Sequence, residues 1–428
     1  MDNIIDCLSE RGFIDQISNQ EELKKHTENP IRVYVGFDPT SDSLHLGNLM
    51  GIVALSWFQK FGHTPFIILG GATGRIGDPS GKSVERPLLS DEEIESNISK
   101  IGVLFERILD FSGKLPKPVI LNNNEWLKGY SFIDFLRDVG KQFRVGPMLA
   151  KESVKLRMDS QEGISFTEFS YQVLQAFDFS YLYKNRGVSL QMGGSDQWGN
   201  ITAGIELTRK MLQKSVYGMT FPLLTRSDGK KFGKSEEGAI WLSEEKLSPY
   251  QFYQYCIGIP DENVIRLMKL LSFMDLEEIE RIEKGMSLEG YIPNSVQKKL
   301  AEELTLLVHG ADGLDKAIKV TQGAAPGAKT ALNSEVLKEI AKDMPSGSLP
   351  SSDVIGQKIV DLFCLLNLTS SKSEAVRLIK NGGAYLNNER VDDVAFRLEE
   401  NHLIDRIFIL FGVGKKKKFL LEVESSEK

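Results

Sequence analysis

Cysteine and histidine are scarce in this sequence, with three Cys and five His in 428 residues. Cys7, Cys256 and Cys364 lie far apart without CxxC spacing, which excludes a disulfide framework and a cysteine zinc site. The histidines form no ligand cluster, so no protein-held metal is expected. Long hydrophobic runs are missing too. No apolar stretch approaches the ~18 residues of a membrane span, and the opening MDNIIDCLSERG carries acids where a signal peptide needs a basic and then an apolar stretch. The expectation is a cytoplasmic chain with no membrane partner. An excess of positive charge is also lacking: 52 Lys+Arg stand against 59 Asp+Glu, a formal −7. Such a chain does not wrap nucleic acid through bulk charge, so any RNA contact needs local basic patches. What remains is ordinary, with 41% apolar residues and a length that predicts about two to four domains.

The first half alternates strand and helix signals, the pattern of a parallel sheet covered by helices. Residues 32–37 (RVYVGF) and 65–70 (PFIILG) read as buried strands with a helix over 47–61 between them, a βαβ unit. Residues 119–122 and 188–192 read as further strands ending in polar or glycine-rich text, where ligands of open parallel sheets gather. Beyond residue 248 the periods become helical (248–257, 261–271, 296–307). A Pro-, Gly- and Ser-rich stretch over 324–352 reads as a linker enclosing a short helix near 334–342. The expected division is an α/β sheet domain over 1–245, a helical domain over 246–323, a linker over 324–350 and a last module over 351–428. That module balances 12 basic against 12 acidic residues, so the net acidity belongs to the rest of the chain.

Five segments carry possible chemistry. The first strand runs through Asp38 and Thr40 into His45-Leu46-Gly47-Asn48 at a helix start, which is a ready anion site. Gly47 there would clear room for a flat base. Alone, the segment also reads as a helix cap and turn. The second strand ends in GGATGRIGDPSGK (70–82), a backbone able to approach a ligand closely, with Asp78 for a cation. It is not a P-loop, because Gly81 follows Gly77 by four positions rather than five. Tyr171, Gln175 and Asp178, at i, i+4 and i+7, share one face of a helical stretch beginning near residue 166, a stripe that suits a polar pocket or a solvated face. GGSDQWGN (193–200) places Asp196 just past a strand, where an acid accepts from ribose hydroxyls and Gly194 lets the sugar approach. Lys230, Lys231 and Lys234 in SDGKKFGKS (227–235) suit a departing pyrophosphate, or merely a solvated loop.

Taken in order, these segments resemble the class I aminoacyl-tRNA synthetases, specifically their tyrosyl branch of bacterial type, over nearly the whole chain. HLGN (45–48) is similar to the family's HIGH signature and KFGKS (231–235) to its KMSKS signature; YVGFDPT (34–40), 70–82 and 193–200 resemble stretches peculiar to the tyrosyl enzymes. The resemblance implies a Rossmann-like catalytic domain, an all-helical domain and a small α+β S4-like RNA-binding domain. It implies that Tyr34 and Asp178 hold a substrate phenol, that Asp78, Tyr171 and Gln175 bind its ammonium, and that Gln197 lies near its carboxylate. Thr40 and His45 would meet ATP phosphates, Gly36, Asp38, Asn48, Gly194 and Asp196 would line the nucleotide's place, and Gly47 would lie under the adenine. Lys82, Arg86, Lys231 and Lys234 would hold the pyrophosphate.

The sequence departs from the family at Asn48, where HIGH has His, and at Phe232 and Gly233, where KMSKS has Met and Ser. An amide N–H at Asn48 can replace a ring N–H. Ser371, Lys372, Arg377 and Lys380, with Lys415 and Lys416 in a basic turn, would face RNA. The implied reaction is tyrosine activation by ATP, with Mg²⁺ on the phosphates, followed by transfer to tRNA(Tyr), in a homodimer. A tryptophanyl sibling and a non-catalytic RNA-binding paralogue are the alternatives. Tyr34 with Asp178 favours a phenol over an indole, and the intact lysines favour catalysis.

Overall fold

The computed structural model describes residues 3–81, 88–160, 163–225, 232–235, 238–324, 334–341, 344–414 and 417–424. Its contacts divide the chain into two compact units, one of residues 1–247 with 255–310 and one of 248–254 with 311–428.

The first unit is built on a six-stranded sheet of β1 (Gln16–Ile17), β2 (Arg32–Phe37), β3 (Thr64–Leu69), β4 (Val119–Asn122), β5 (Val188–Gly194) and β6 (Tyr217–Phe221). Its order is β1-β6-β5-β2-β3-β4, with β2 to β6 parallel and β1 antiparallel on the edge. From β2 the chain proceeds outward to β3 and β4, then returns to the other side for β5 and β6. The order therefore reverses between β2 and β5, and the crevice beyond the carboxyl ends at such a reversal is where this architecture binds ligands. Strands expected at 32–37, 65–70, 119–122 and 188–192 all appear, within two residues at each end. The Leu46–Lys60 helix behind them is apolar nearly all round and buried accordingly. The helix Phe166–Arg186 starts at Ser165, whose Oγ accepts from Glu168 N at 3.2 Å, and stops at Gly187 with φ 65°.

The helices within residues 255–310 belong to the unit of the six-stranded sheet. Asp261–Leu271 turns Val264, Leu267, Met268 and Leu271 inward, and the buried Arg11 guanidinium donates to the carbonyls of Lys269 (2.9 Å), Ser272 (2.8 Å) and Met274 (3.0 Å). Arg11 also stacks 4.6 Å over the Trp57 ring, and Trp57 meets Phe273. Those bonds tie the end of the Asp261–Leu271 helix to the amino-terminal part of the same unit. The long helix Ser295–Ala324 breaks at Gly310 (φ 72°, ψ −177°), where the division between the units falls.

The second unit has a five-stranded sheet of β9 (Ser346–Pro350), β10 (Ala384–Leu386), β11 (Glu389–Arg390), β12 (Phe408–Val413) and β13 (Lys417–Glu424), ordered β11-β10-β12-β13-β9. The helices Ile359–Leu365 and Lys372–Lys380 cover it around Ile359, Phe363, Ile379, Ile409 and Phe411. The short helix read at 334–342 is present as Ser334–Ala341. Part of the expected linker is structure, however, because β9 pairs in parallel with β13 through its backbone.

Candidate active site

A cleft of about 770 Å³ opens at the reversal point between β2 and β5. Tyr34, Gly36, Asp38, Thr40, His45, Gly47, Asn48, Asp78, Tyr171, Gln175, Asp178, Gly194, Asp196 and Gln197 all line it. Residues separated by up to 163 positions are thus gathered in one place. Lys82, Arg86 and Lys231 lie outside the described residues; Lys234 contributes its backbone to β7 (Lys234–Ser235), which pairs with β8 (Gly238–Ala239). Ser371, Lys372, Arg377 and Lys380 are exposed residues at the cap and on the outer face of a helix of the second unit, and Lys415 and Lys416 lie outside the described residues. Ser371 Oγ caps that helix by accepting from Glu374 N at 3.2 Å, and Lys372 pairs with Asp361 at 2.7 Å.

The deepest part of the cleft is polar chemistry enclosed by apolar walls. Asp178 is buried, with Oδ1 accepting from Trp126 Nε1 at 2.7 Å and Oδ2 from Asn123 Nδ2 at 2.9 Å. Burial pushes its carboxyl up to about 7, against the pull of those two donors. Beside it, burial and then the Asp178 charge push the Tyr34 phenol well above its ordinary value. Tyr34 Oη is buried and makes no hydrogen bond among the described residues, and neither does Gln191 Oε1, whose residue pairs with Tyr34 across β5 and β2. Buried polar atoms are nearly always satisfied, and the Tyr34 hydroxyl is such an orphan on a residue that lines the cleft beside Asp178.

Around this core runs a second polar group. Tyr171 Oη donates to Asp38 Oδ2 at 2.7 Å, and Thr73 Oγ1 donates to Asp38 Oδ1 at 2.7 Å. Asp78 accepts from Gln197 Nε2 at 2.6 Å and from Ser80 N at 3.0 Å, and Gln175 Oε1 accepts from Asn200 Nδ2 at 3.0 Å. The Asp78 carboxylate, Gln175 Oε1 and the Tyr171 hydroxyl oxygen suit an ammonium group. Sequence reasoning missed Thr73, Asn123, Trp126, Gln191 and Asn200. The signal for two of them was legible, because Asn-Asn-Asn-Glu-Trp (122–126) is the polar carboxyl end of a strand in a sheet that binds ligands there.

The helix start at Leu46 is capped by its own residues. Asn48 Oδ1 accepts from His45 N at 3.0 Å, which leaves the amide N–H₂ to donate outward. At Gly194 a Cβ would meet Asp196 Oδ1 at 2.7 Å, so a larger residue there would displace the Asp196 carboxylate. Gly233 has φ 86°, with its Cβ position 3.1 Å from Leu46 Cβ. A serine there would be strained, which gives the departure from KMSKS a backbone reason. Phe232 is buried edge-on against Tyr255, whose Oη accepts from Gly233 N at 3.0 Å.

Residues 25–324 match the family model described as tRNA synthetases class I (W and Y), and residues 336–421 match one described as a tyrosine–tRNA ligase SYY-like C-terminal domain. The chain is 54% identical over 423 residues to the tyrosine–tRNA ligase of Protochlamydia amoebophila, with 99% of each chain covered. It is 52% identical over 431 residues to the chloroplastic/mitochondrial tyrosine–tRNA ligase of Arabidopsis thaliana, covering 98% of this chain and 84% of that one. Among solved structures, a C-terminally truncated mitochondrial tyrosyl-tRNA synthetase of Aspergillus nidulans matches with a TM-score of 0.66 at 31% identity, over 74% of this chain and 92% of that chain.

Proposed function

We propose, given that the chain belongs to the class I tRNA synthetases and to their tyrosyl branch, that it acts as a tyrosine–tRNA ligase through the cleft described. The observation that carries the reading is the pairing of a buried, unsatisfied Tyr34 hydroxyl with the buried Asp178 carboxylate. A phenol satisfies both, accepting from one and donating to the other; an indole N–H donates only.

In the first step a tyrosine carboxylate oxygen attacks the α-phosphorus of ATP in line as the bond to the β-phosphate bridge oxygen breaks, giving tyrosyl-adenylate and pyrophosphate. In the second, a terminal ribose hydroxyl of tRNA attacks the mixed-anhydride carbonyl; its proton is lost and AMP departs. No side chain acts as nucleophile. The protein positions reactants and opposes developing charge. Asp78, Tyr171 and Gln175 hold the ammonium, Gln197 lies by the carboxylate, and Asp196 with Gly194 and Asn48 receives the ribose. Gly36, Asp38 and Gly47 line the nucleotide's path, while Thr40 and His45 meet its phosphates. Lys82, Arg86, Lys231 and Lys234 receive the leaving pyrophosphate. We assign Mg²⁺ to the substrate as its ATP complex, in keeping with phosphoryl transfer of this kind. We place the enzyme in the cytoplasm; no helix among the described residues is long and apolar enough to cross a membrane.

The second unit, with Ser371, Lys372, Arg377, Lys380, Lys415 and Lys416, is assigned to tRNA. Its module over 351–428 follows the catalytic domain over 1–245, the helices of 246–323 and the segment 324–350. A chain ending near residue 324 is expected to retain tyrosine-dependent exchange of labelled pyrophosphate into ATP, yet to charge tRNA poorly at limiting tRNA, because contacts that position RNA are gone. Full charging by the shortened chain would remove the RNA role from the second unit. That the related Aspergillus protein crystallised in C-terminally truncated form supports the separability.

A homodimer is also proposed. Large apolar side chains are exposed between residues 130 and 166, among them Phe132 (64%), Ile133 (69%), Leu156 (63%) and Phe166 (67%), and exposed apolar surface of this kind suits an association face. Light scattering should give twice the chain mass for the wild type and the single chain mass for an Phe132→Asp, Ile133→Asp variant. A monomeric wild type would contradict the assignment.

A further inference from the structure

The segment that follows the KFGKS lysines is fastened to the loop that carries His45. Leu242 N donates to Leu44 O at 2.8 Å, Leu46 N donates to Ile240 O at 2.8 Å, and Ser243 N donates to Ser43 Oγ at 3.1 Å. His45 and Trp241 form an antiparallel bridge pair, with ring centroids 6.4 Å apart. Upstream, Ile240 N donates to Gly233 O at 2.8 Å, so the backbone on both sides of the β7–β8 turn belongs to this seam.

At the end of the seam stands Asp42, a residue none of the roles above uses. Its carboxylate pairs with Lys246 and, at 3.4 Å, with Lys100 of the Asp91–Ile108 helix, and Ser41 Oγ donates to it at 3.2 Å. The Lys246 ammonium also lies 4.6 Å over the Trp241 ring. One carboxylate therefore joins the His45 loop, the segment returning from the lysine loop, and the helix behind both. Arg107 of the same helix reaches Glu244 at 4.0 Å, a weaker second tie.

Half-exposed ion pairs contribute little to stability, so this cluster is a poor candidate for holding the fold. Its effect on geometry is a separate matter. The two backbones it joins carry His45 and Lys234, and a displacement of about 1 Å in such groups can cost about a hundredfold in rate.

We propose that Asp42 is a positioning residue for tyrosine activation, holding Lys246 and Lys100 so that the return segment of the lysine loop keeps its place on the loop bearing His45. The proposal rests on the assignment of His45 and Lys234 to the ATP phosphates. Asp42 touches no substrate; it acts through the backbones it joins.

The test uses the full chain in tyrosine-dependent pyrophosphate exchange, with tyrosine affinity measured by intrinsic fluorescence without ATP. Asp42→Asn is expected to lower kcat about tenfold while tyrosine affinity and Tm stay near the wild type. Asp42→Glu should recover part of the rate. Lys246→Gln should show the same selective loss, and it carries the test if Asp42→Asn fails to fold. The double variant should be no worse than the poorer single one, because the two groups act as one device. Rates within about twofold of wild type in both single variants would overturn the proposal. So would multiplicative losses in the double variant, or tyrosine affinity falling in step with rate. A wild type without tyrosine-dependent exchange would instead strike the functional reading beneath it.

Discussion

Asp178→Asn is expected to lower kcat/KM for tyrosine in pyrophosphate exchange by about a hundredfold or more, with far less effect on phenylalanine. Both carboxylate oxygens are already fixed, one by Trp126 Nε1 and one by Asn123 Nδ2, and each retains a lone pair for a phenol. The amide replaces one of these acceptors by an N–H₂ that must face a donor. A hydrogen bond to a charged group contributes roughly 1.5–3 kcal/mol and an orphaned buried donor costs roughly 1–3 kcal/mol. At about 1.4 kcal/mol per tenfold, the sum is of the expected size. Phenylalanine has no hydroxyl to lose, so the specificity ratio should collapse.

The same carboxylate sets a pH dependence. Burial raises the Asp178 pKa to about 7, above the ordinary carboxylate range, so in the free pocket its ionised fraction grows as pH rises through that value. Tyrosine affinity should therefore improve from pH 6 to pH 8 and level off above, and below about 7 it should fall by up to about tenfold per pH unit. The Asn variant should lose this dependence. An unchanged Tyr/Phe ratio together with an unchanged pH profile would remove Asp178 from the phenol pocket.

The second large effect is expected at Lys234. Removing one group that stabilises developing charge in an enclosed site typically costs about 10²–10³ in rate. Lys234→Ala should accordingly lower the adenylation rate at least about tenfold, and toward a hundredfold, without changing tyrosine affinity in the absence of ATP. The split follows from when the charge appears. A cation that meets pyrophosphate only as it departs stabilises the transition state, whereas Tyr34 and Asp178 act on bound tyrosine throughout. The backbone of Lys234 leads from Gly233, packed against the start of the Leu46–Lys60 helix. Equal losses of tyrosine affinity and rate would refute this division of roles.

How much of this was legible in the sequence depends on the range of the interaction concerned. β2, β3, β4 and β5 are short apolar runs bounded by polar or glycine text, so their composition locates them. β1, β7 and β8 are two residues each, too short to carry any period. β9 reads Ser-Gly-Ser-Leu-Pro, a composition poor in strand formers, and it pairs only because β13 offers a free edge. The cleft residues were legible because they cluster at strand ends and on one helix face. Their partners were not: Asp178 is held by Asn123 and Trp126 from 55 and 52 positions away, and no local spacing connects them. The grouping of the helices escaped for the same reason. Periodicity marks which face of Asp261–Leu271 is apolar, but only the bonds from Arg11 reveal what that face covers.

The central claim is that this cleft activates tyrosine, and the most direct measurement is pyrophosphate exchange into ATP by the purified full-length chain, offered tyrosine, phenylalanine and tryptophan in turn. Strong exchange with tyrosine, with phenylalanine and tryptophan far behind, is the predicted result. Exchange driven equally by phenylalanine or preferentially by tryptophan would contradict the phenol pocket, and no exchange with any of the three would contradict the enzyme.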